Sequence, residues 1–287
     1  MTSSSKKRYL VRQVLLYMAV LLIIFWTIAP YVWLIISSLS YRIDLLQTPL
    51  HWIPQRITLE NYQELFIGSG GANMNANLFL QALKNTSIVA FSATFICLVL
   101  GVFSAYALAR LKFPGSNASV ALMMGAQMLP PIAIVIPVYV LLRGFNLLDT
   151  RYGLILVYLS FILPLVVWLM RSYFASIPSE LEDAARIDGC SRIGALFRII
   201  LPLSGPGLVS VAVFAFIAAW NEYLYAFILT TADAKTLPVL IGEFSTKLGL
   251  EYLRIAAAGV LASLPPVILA LVFQRFIMRG LTSGAVK

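Results

Sequence analysis

Long runs of residues without a charged side chain dominate the pattern of this chain. Six of them are strongly apolar and reach 19 residues or more, and they cover residues 13–41, 85–109, 113–142, 152–170, 199–221 and 255–274. A helix that crosses a bilayer needs about 20 mostly apolar residues, each rising about 1.5 Å. The pattern predicts one all-α integral membrane domain over residues 1–287. Its six transmembrane helices are expected near residues 13–38, 85–109, 116–142, 152–171, 206–231 and 255–276.

Composition and charge support this prediction. The chain is 60% apolar and 11% charged, whereas soluble domains carry about 25% charged residues. Six spans place both termini on one side, and that side receives 13 of the 21 basic residues but only 4 of the 12 acidic ones. The net charge of +9 therefore lies on the side of the termini, which the positive-inside rule makes cytosolic. No separate basic domain remains to bind nucleic acid.

Two of the predicted spans contain internal prolines. Pro130, Pro131 and Pro137 follow Gln127 in the third span, and a similar break is expected at Pro265-Pro266 in the sixth. These proline breaks either help the helices to pack or shape a central transport pathway. In the fifth span, Asn221 and Glu222 are expected in the outer third, as an interfacial pair or as a functional group within the membrane.

No constellation typical of an enzyme or a metal site is present. The single histidine, His51, lies in a predicted external loop, and no GxxxxGK[ST] phosphate-binding loop occurs. Cys97 falls inside a span and Cys190 in a loop, so no disulfide is expected. The sequence therefore predicts a chain that is not an enzyme and that binds no metal or cofactor of its own.

The loop of residues 177–202 carries the strongest local signals. Ser179 with Glu182 three residues later predicts a capping box, and a short helix should run from Glu180 to Ile187. Asp188-Gly189 should end it, because glycine readily takes the left-handed conformation there. The acidic first half disfavours an anionic membrane surface, so a protein partner is the better interpretation.

A second short helix should follow in the same loop. Ser191 is expected to cap it and Pro202 to end it. Helical spacing would place four apolar residues on one face of this helix: Ile193, Leu196, Phe197 and Ile200.

The 177–202 loop resembles the EAA loop of type I ABC importer permeases. That pattern has Glu-Ala-Ala, three residues, Gly, nine residues, then Ile-x-Leu-Pro. Here it reads Asp183-Ala184-Ala185, then Gly189, then the segment ending in Leu201-Pro202, and Asp183 stands where the family has Glu. Three further segments resemble the MalG-like second permease subunit of the carbohydrate-uptake group: SAYALAR at 104–110, AWNEY at 219–223 and the tail GLTSGAVK at 280–287.

The resemblance implies a set of partners in a bacterial or archaeal cytoplasmic (inner) membrane. They are a homologous second permease subunit, two ATPase subunits that hold ATP and Mg, a periplasmic or lipid-anchored solute-binding protein, and membrane lipid. The contact with the ATPases would use residues of the first helix of the loop and its turn: Glu182, Asp183, Ala184, Ala185, Asp188 and Gly189. The tail 280–287 would also approach the ATPases, and segment 233–252 would meet the binding protein.

The resemblance also implies a sugar, a di- or oligosaccharide, moved by alternating access. Because sugars bind through aromatic stacking and hydrogen bonds, the candidate path residues are Tyr106, Gln127, Tyr139, Asn221, Glu222 and Tyr225. Three alternatives stay open: an ABC importer for a polyamine, phosphate ester or osmolyte, an ion-coupled secondary transporter, and an intramembrane enzyme.

Overall fold

The computed structural model describes residues 3–46, 52–54, 56–67, 73–111, 113–244 and 252–283, and every regular element among them is helical. In chain order the helices are α1 (Ser3–Ser38), α2 (Arg42–Leu46), α3 (Glu60–Phe66), α4 (Asn73–Arg110), α5 (Ser116–Ala126), α6 (Pro131–Gly144), α7 (Arg151–Ser176), α8 (Ser179–Ile187), α9 (Arg192–Ala195), a π-helical turn (Leu196–Ile200), α10 (Leu201–Leu203), α11 (Gly205–Trp220), α12 (Leu224–Leu229), α13 (Leu237–Glu243) and α14 (Tyr252–Ser283).

Four helices are long and apolar enough to cross a membrane unaided. They are Tyr9–Ser38, Ala76–Arg110, Arg151–Ser176 and Tyr252–Met278. Two bent pairs meet the same criterion together, and each is either a broken span or a re-entrant loop: Ser116–Ala126 with Pro131–Gly144, bent by 96°, and Arg192–Leu203 with Gly205–Trp220, bent by 80°. With each pair counted as one span, the six predicted spans correspond to six membrane elements, and the all-α prediction is confirmed.

The prolines account for the break in the third span, but they do not break the sixth span as expected. Pro130 is extended and Pro131 begins α6, so the third span divides where two prolines follow Gln127. The break predicted at Pro265-Pro266 is wrong, because α14 is continuous from Tyr252 to Ser283. Membrane helices tolerate proline when neighbouring groups satisfy the freed carbonyls.

The fifth span differs from a single helix over residues 206–231. Its first arm contains the π-helical turn and reaches Leu203, so Pro202 lies one residue inside the helix that it was predicted to end. A proline lacks the N–H that would bond one turn back, and it is tolerated here because it lies in the first turn of α10. The second arm, α11, ends at Trp220, and the chain re-enters a helix only at Leu224.

The chain forms two compact units. The first unit comprises residues 1–76 and 241–262. In it, the Asn61 amide donates to the carbonyls of Ser38 and Ser40 at 2.9 and 3.1 Å, and Arg254 pairs with Glu64 at 2.8 Å. The Asn61 bonds hold α3 against the end of α1, and the Arg254–Glu64 pair joins α3 to α14.

The second unit comprises residues 77–240 and 263–287 and contains most of the buried hydrophobic residues. Helix α7 contributes Tyr158, Met170 and Phe174, none more than 1% exposed. Helix α11 approaches α7 closely at Gly207, where a Cβ atom would lie 2.6 Å from the Tyr173 ring. Small residues allow such close contact between membrane helices.

Candidate coupling interface and transport path

Helix α8 is held on the second unit by one buried carboxylate, that of Glu182. Its Oε1 accepts a 2.5 Å hydrogen bond from the Tyr106 hydroxyl, and its Oε2 lies 3.5 Å from Nε of Arg110. Arg110 also donates to the Ile177 carbonyl at 2.7 Å. The Glu182 and Arg110 side chains are 11% and 10% exposed. This group, the Glu182 anchor, fixes the short helix to the last turn of α4.

The predicted capping box is wrong, and the anchor explains why. The N-cap of α8 is Pro178, and no side chain caps the helix. A capping box needs Glu182 to turn back to the start of its own helix. Here the carboxylate turns inward to Tyr106 and Arg110 instead. The acidic residue that suggested a local motif makes a long-range contact.

The predicted coupling residues divide between two faces of α8. Glu182 and Ala185 face inward, and as whole residues they are 9% and 5% exposed. Four residues face outward, namely Asp183, Ala184, Asp188 and Gly189. Apolar Leu181 and Ile187 accompany them, and Ile187 is 87% exposed. The helix therefore presents an apolar and acidic surface, while one carboxylate anchors its other side.

The turn after α8 has the geometry that glycine permits. Gly189 has φ of +88°. The Cys190 N–H bonds to the Ala185 carbonyl at 2.9 Å, and the Gly189 N–H bonds to the Arg186 carbonyl at 3.1 Å. This pair of bonds is the Schellman motif, so the predicted stop at Asp188-Gly189 is confirmed.

The second helix of the loop begins as predicted but does not present one apolar face. The Ser191 hydroxyl accepts the Gly194 N–H at 3.1 Å, which confirms the cap. Leu196 and Ile200 are buried, whereas Ile193 and Phe197 are 62% and 50% exposed. The four residues therefore divide into two pairs at i, i+4 spacing, one exposed and one buried, and the prediction of a single shared face is wrong.

Three of the six candidate path residues meet at one turn of α7. The Gln127 amide donates to the Phe161 carbonyl at 2.6 Å, and the Tyr225 ring stacks on Phe161 with centroids 5.8 Å apart. The Tyr158 hydroxyl donates to Glu222 at 2.8 Å. Residues from both broken spans thus converge on Tyr158–Phe161.

Glu222 also shapes the break in the fifth span. Its carboxylate accepts hydrogen bonds from the N–H groups of Tyr225 and Ala226 at 2.7 and 3.0 Å. These bonds stabilise the N-terminus of α12. Beside it Asn221 is exposed, and the partly exposed Tyr223 stacks on Phe227 at 5.4 Å. The break therefore turns polar and aromatic side chains outward from the middle of an apolar segment.

The remaining two candidates lie apart from this cluster. Tyr139 is half-buried on α6. Tyr106 belongs to the Glu182 anchor, near the last turn of α4.

The other end of the second unit carries an organised loop that the sequence did not reveal. Asp149, with φ of +52°, accepts five hydrogen bonds of 2.8–3.1 Å from residues 231–234. Burial raises the pKa of its carboxyl group, but the N–H groups of Ala234 and Asp233 and the Thr231 hydroxyl outweigh burial and hold that pKa well below its usual range. We name this contact the Asp149 latch.

Asn85 supports the same loop from α4. Its amide donates to the carbonyls of Asp233 and Lys235 at 2.8 and 2.9 Å, and its oxygen accepts a 2.7 Å bond from Arg151. The Thr86 hydroxyl accepts the N–H of Leu237 at 2.7 Å. Residues about 150 positions apart are joined here, and no local motif could have paired them.

A comparison with protein families decides what kind of chain this is. The family model described as the binding-protein-dependent transport system inner membrane component matches residues 70–283. The chain belongs to this family. It is therefore a membrane-embedded component of a transport system rather than an enzyme.

Curated relatives of the permease match almost its full length. It is 38% identical over 276 residues to the trehalose transport system permease protein SugB of Mycobacterium tuberculosis, covering 94% of this chain and 97% of that protein. It is 35% identical over 279 residues to the trehalose/maltose transport system permease protein of Thermococcus litoralis, covering 96% and 97%.

A solved structure shares the fold of the permease. A chain of a bacterial ABC transporter involved in the import of the acidic polysaccharide alginate superposes with a TM-score of 0.75 at 23% identity, covering 96% of this chain and 98% of that one. This agreement confirms the predicted type I ABC importer permease fold.

The part of the permease that the structure describes contains no group of three or more His, Cys, Asp or Glu side chains that could hold a metal ion. Cys97 is buried and Cys190 half-buried, and both are free thiols. His51, residues 245–251 of the predicted binding-protein segment and the tail beyond residue 283 lie outside the described residues.

Proposed function

We propose that this chain is one of two permease subunits of an ABC importer that moves a di- or oligosaccharide into the cell. The observation that carries the proposal is the near full-length similarity to permeases named for trehalose and maltose. A diacetylchitobiose uptake permease of Streptomyces coelicolor, 34% identical over 90% of this chain, adds support. In this proposal both termini are cytosolic, and ATP with Mg is bound and hydrolysed by two partner ATPases.

The two faces of α8 suggest how the energy of ATP enters. The outward residues Asp183, Ala184 and Gly189 contact an ATPase, and Ala184 permits close approach. The inward Glu182 transmits the motion, because its bonds to Tyr106 and Arg110 join α8 to the end of α4. In this role Tyr106 serves coupling rather than the sugar path.

The sugar path runs past the two broken spans. Asn221 and Gln127 supply exposed amides and Tyr139 supplies an aromatic ring, while the buried Tyr225 supports the path through its stack on Phe161. Glu222 keeps the break in place through its bonds to Tyr158 and to the start of α12. The second permease subunit closes the path, and the binding protein delivers the sugar near segment 233–252.

Cysteine substitutions at two adjacent alanines test the docking face. Ala184 is exposed and Ala185 is 5% exposed, so they form a matched pair on one helix. In the assembled transporter with Cys190 replaced by serine, Ala184→Cys should cross-link to an ATPase subunit through a short reagent that joins a thiol to an amine, and Ala185→Cys should not. Equal cross-linking of both variants, or of neither, would contradict the docking face.

A ligand screen tests the substrate class. The purified binding protein of the same transporter should gain thermal stability with particular di- or oligosaccharides and not with polyamines, phosphate esters or osmolytes. If only a compound of one of those other classes stabilised the binding protein, that class would be the substrate and the sugar proposal would be wrong.

A further inference from the structure

An open pocket of about 500 Å³ lies beside the Glu182 anchor, between the ends of α4 and α7 and the start of α5. Two arginines, Arg110 and Arg171, line it together with the polar Ser116 and Asn117. Leu108 and Phe113 add apolar surface. A pocket with basic groups on one side and apolar groups on the other suits a ligand with an anionic head and a hydrophobic remainder.

The depth of the pocket matches the surface of a bilayer. Arg151 begins α7, and Arg171 follows it by about 30 Å at the usual helical rise, which is the thickness of the hydrocarbon core. Because Arg151 lies at the end that holds the Asp149 latch, Arg171 reaches the opposite headgroup layer. Arg110, the last residue of α4, lies at the same level, since Arg171 bonds to the Leu108 carbonyl at 3.3 Å.

The two arginines differ in how their charge is balanced. Arg110 has Glu182 at 3.5 Å. Within the described ranges Arg171 makes one hydrogen bond, to a neutral carbonyl, and no carboxylate lies within salt-bridge distance of it. A half-buried guanidinium at headgroup depth without a counter-charge has N–H groups that match the oxygens of a phosphate.

From this arrangement we infer that the pocket binds the phosphodiester headgroup of an anionic phospholipid, such as phosphatidylglycerol. Arg171 donates to the phosphate, Ser116 and Asn117 reach the glycerol oxygens, and the acyl chains lie along the exposed apolar surface of the helices. Basic pockets between transmembrane helices are a recognised form of lipid-headgroup site. This inference does not depend on which solute is transported.

The test measures lipid binding to the complete transporter. Native mass spectrometry in a mild detergent follows binding of phosphatidylglycerol and, separately, of phosphatidylcholine. Arg171→Gln should weaken phosphatidylglycerol binding about fivefold or more, because the lipid headgroup loses its contact with one guanidinium charge. Arg12→Gln is the matched control, since it removes the same charge from an exposed position on α1. Binding of phosphatidylglycerol to the Arg12→Gln transporter should stay within about twofold of wild type.

A second variant keeps the test decisive if Arg171→Gln assembles poorly. Asn117 is exposed, so Asn117→Asp introduces a negative charge at the pocket without disturbing the core, and it should also weaken phosphatidylglycerol binding. Equal loss in Arg12→Gln, or unchanged binding in Asn117→Asp, would overturn the site. Inorganic phosphate should not displace the lipid at millimolar concentration, and full displacement would mean that the site binds soluble phosphate.

Discussion

Asp149→Asn tests how firmly the Asp149 latch holds residues 231–234. Asparagine has nearly the shape of aspartate and tolerates the left-handed backbone that Asp149 adopts at φ of +52°, so the substitution changes the charge and one acceptor atom. The N–H group of Asn85 and the other supports of the loop from α4 remain in place.

The size of the effect follows from how the five bonds are divided. One carboxylate oxygen accepts from the N–H groups of Thr231 and Ala234, and the other accepts from the Thr231 hydroxyl and the N–H groups of Ala232 and Asp233. Whichever oxygen becomes NH₂, at least two donors lose their acceptor. A hydrogen bond to a charged group contributes about 1.5–3 kcal/mol, and water reaches this half-exposed site, so a local loss of about 2 kcal/mol is expected.

Hydrogen exchange of residues 231–237, followed by mass spectrometry on the assembled transporter, measures this loss. A change of about 2 kcal/mol in local opening should speed exchange about 30-fold. Asp233→Asn is the matched control, because it removes a carboxylate from the same loop while the backbone bonds of Asp233 stay. Exchange of Asp149→Asn within about twofold of this control would refute the latch.

Three further substitutions test the loop and the core. Glu182→Gln should lower substrate-stimulated ATPase activity about tenfold, since a buried arginine loses its counter-charge, whereas the exposed Glu180→Gln should leave that activity unchanged. Equal activities would contradict the anchor. Gly189→Ala should destabilise the turn after α8 by about 1 kcal/mol, seen as faster amide exchange there, because a side chain strains φ of +88°. Gly207→Ala should lower the melting temperature of the complex, because its Cβ meets an aromatic ring at 2.6 Å, while Gly205→Ala, whose Cβ meets open space, should not.

Features that depend on nearby residues were predictable from the sequence. The apolar runs identify the membrane elements, and Pro130-Pro131 locates the break of the third span. Asp188-Gly189 and Ser191 identify the turn and the cap of the 177–202 loop. The proline, turn and cap signals act within one or two helical turns, and an apolar run acts over the length of its own element. In each case the neighbouring residues decide the structure.

Features that depend on distant residues were not predictable in the same way. Glu182 fits a capping box locally, yet Tyr106, 76 positions earlier, takes its carboxylate. Pro265-Pro266 has the local sequence of a break, but α14 runs through it. Asp149 and Asn85 carry no motif, and their importance arises only where residues 231–235 meet them. Long-range packing decides such positions.

Solute uptake into proteoliposomes tests the central claim most directly. The vesicles would contain this chain, its second permease subunit and the ATPases, and the binding protein with labelled sugar would be added outside. Uptake should require ATP inside the vesicle and fall to background when the ATPases carry an inactivating substitution. Uptake driven by an ion gradient alone, with no ATP present, would contradict the claim that this permease takes its energy from partner ATPases.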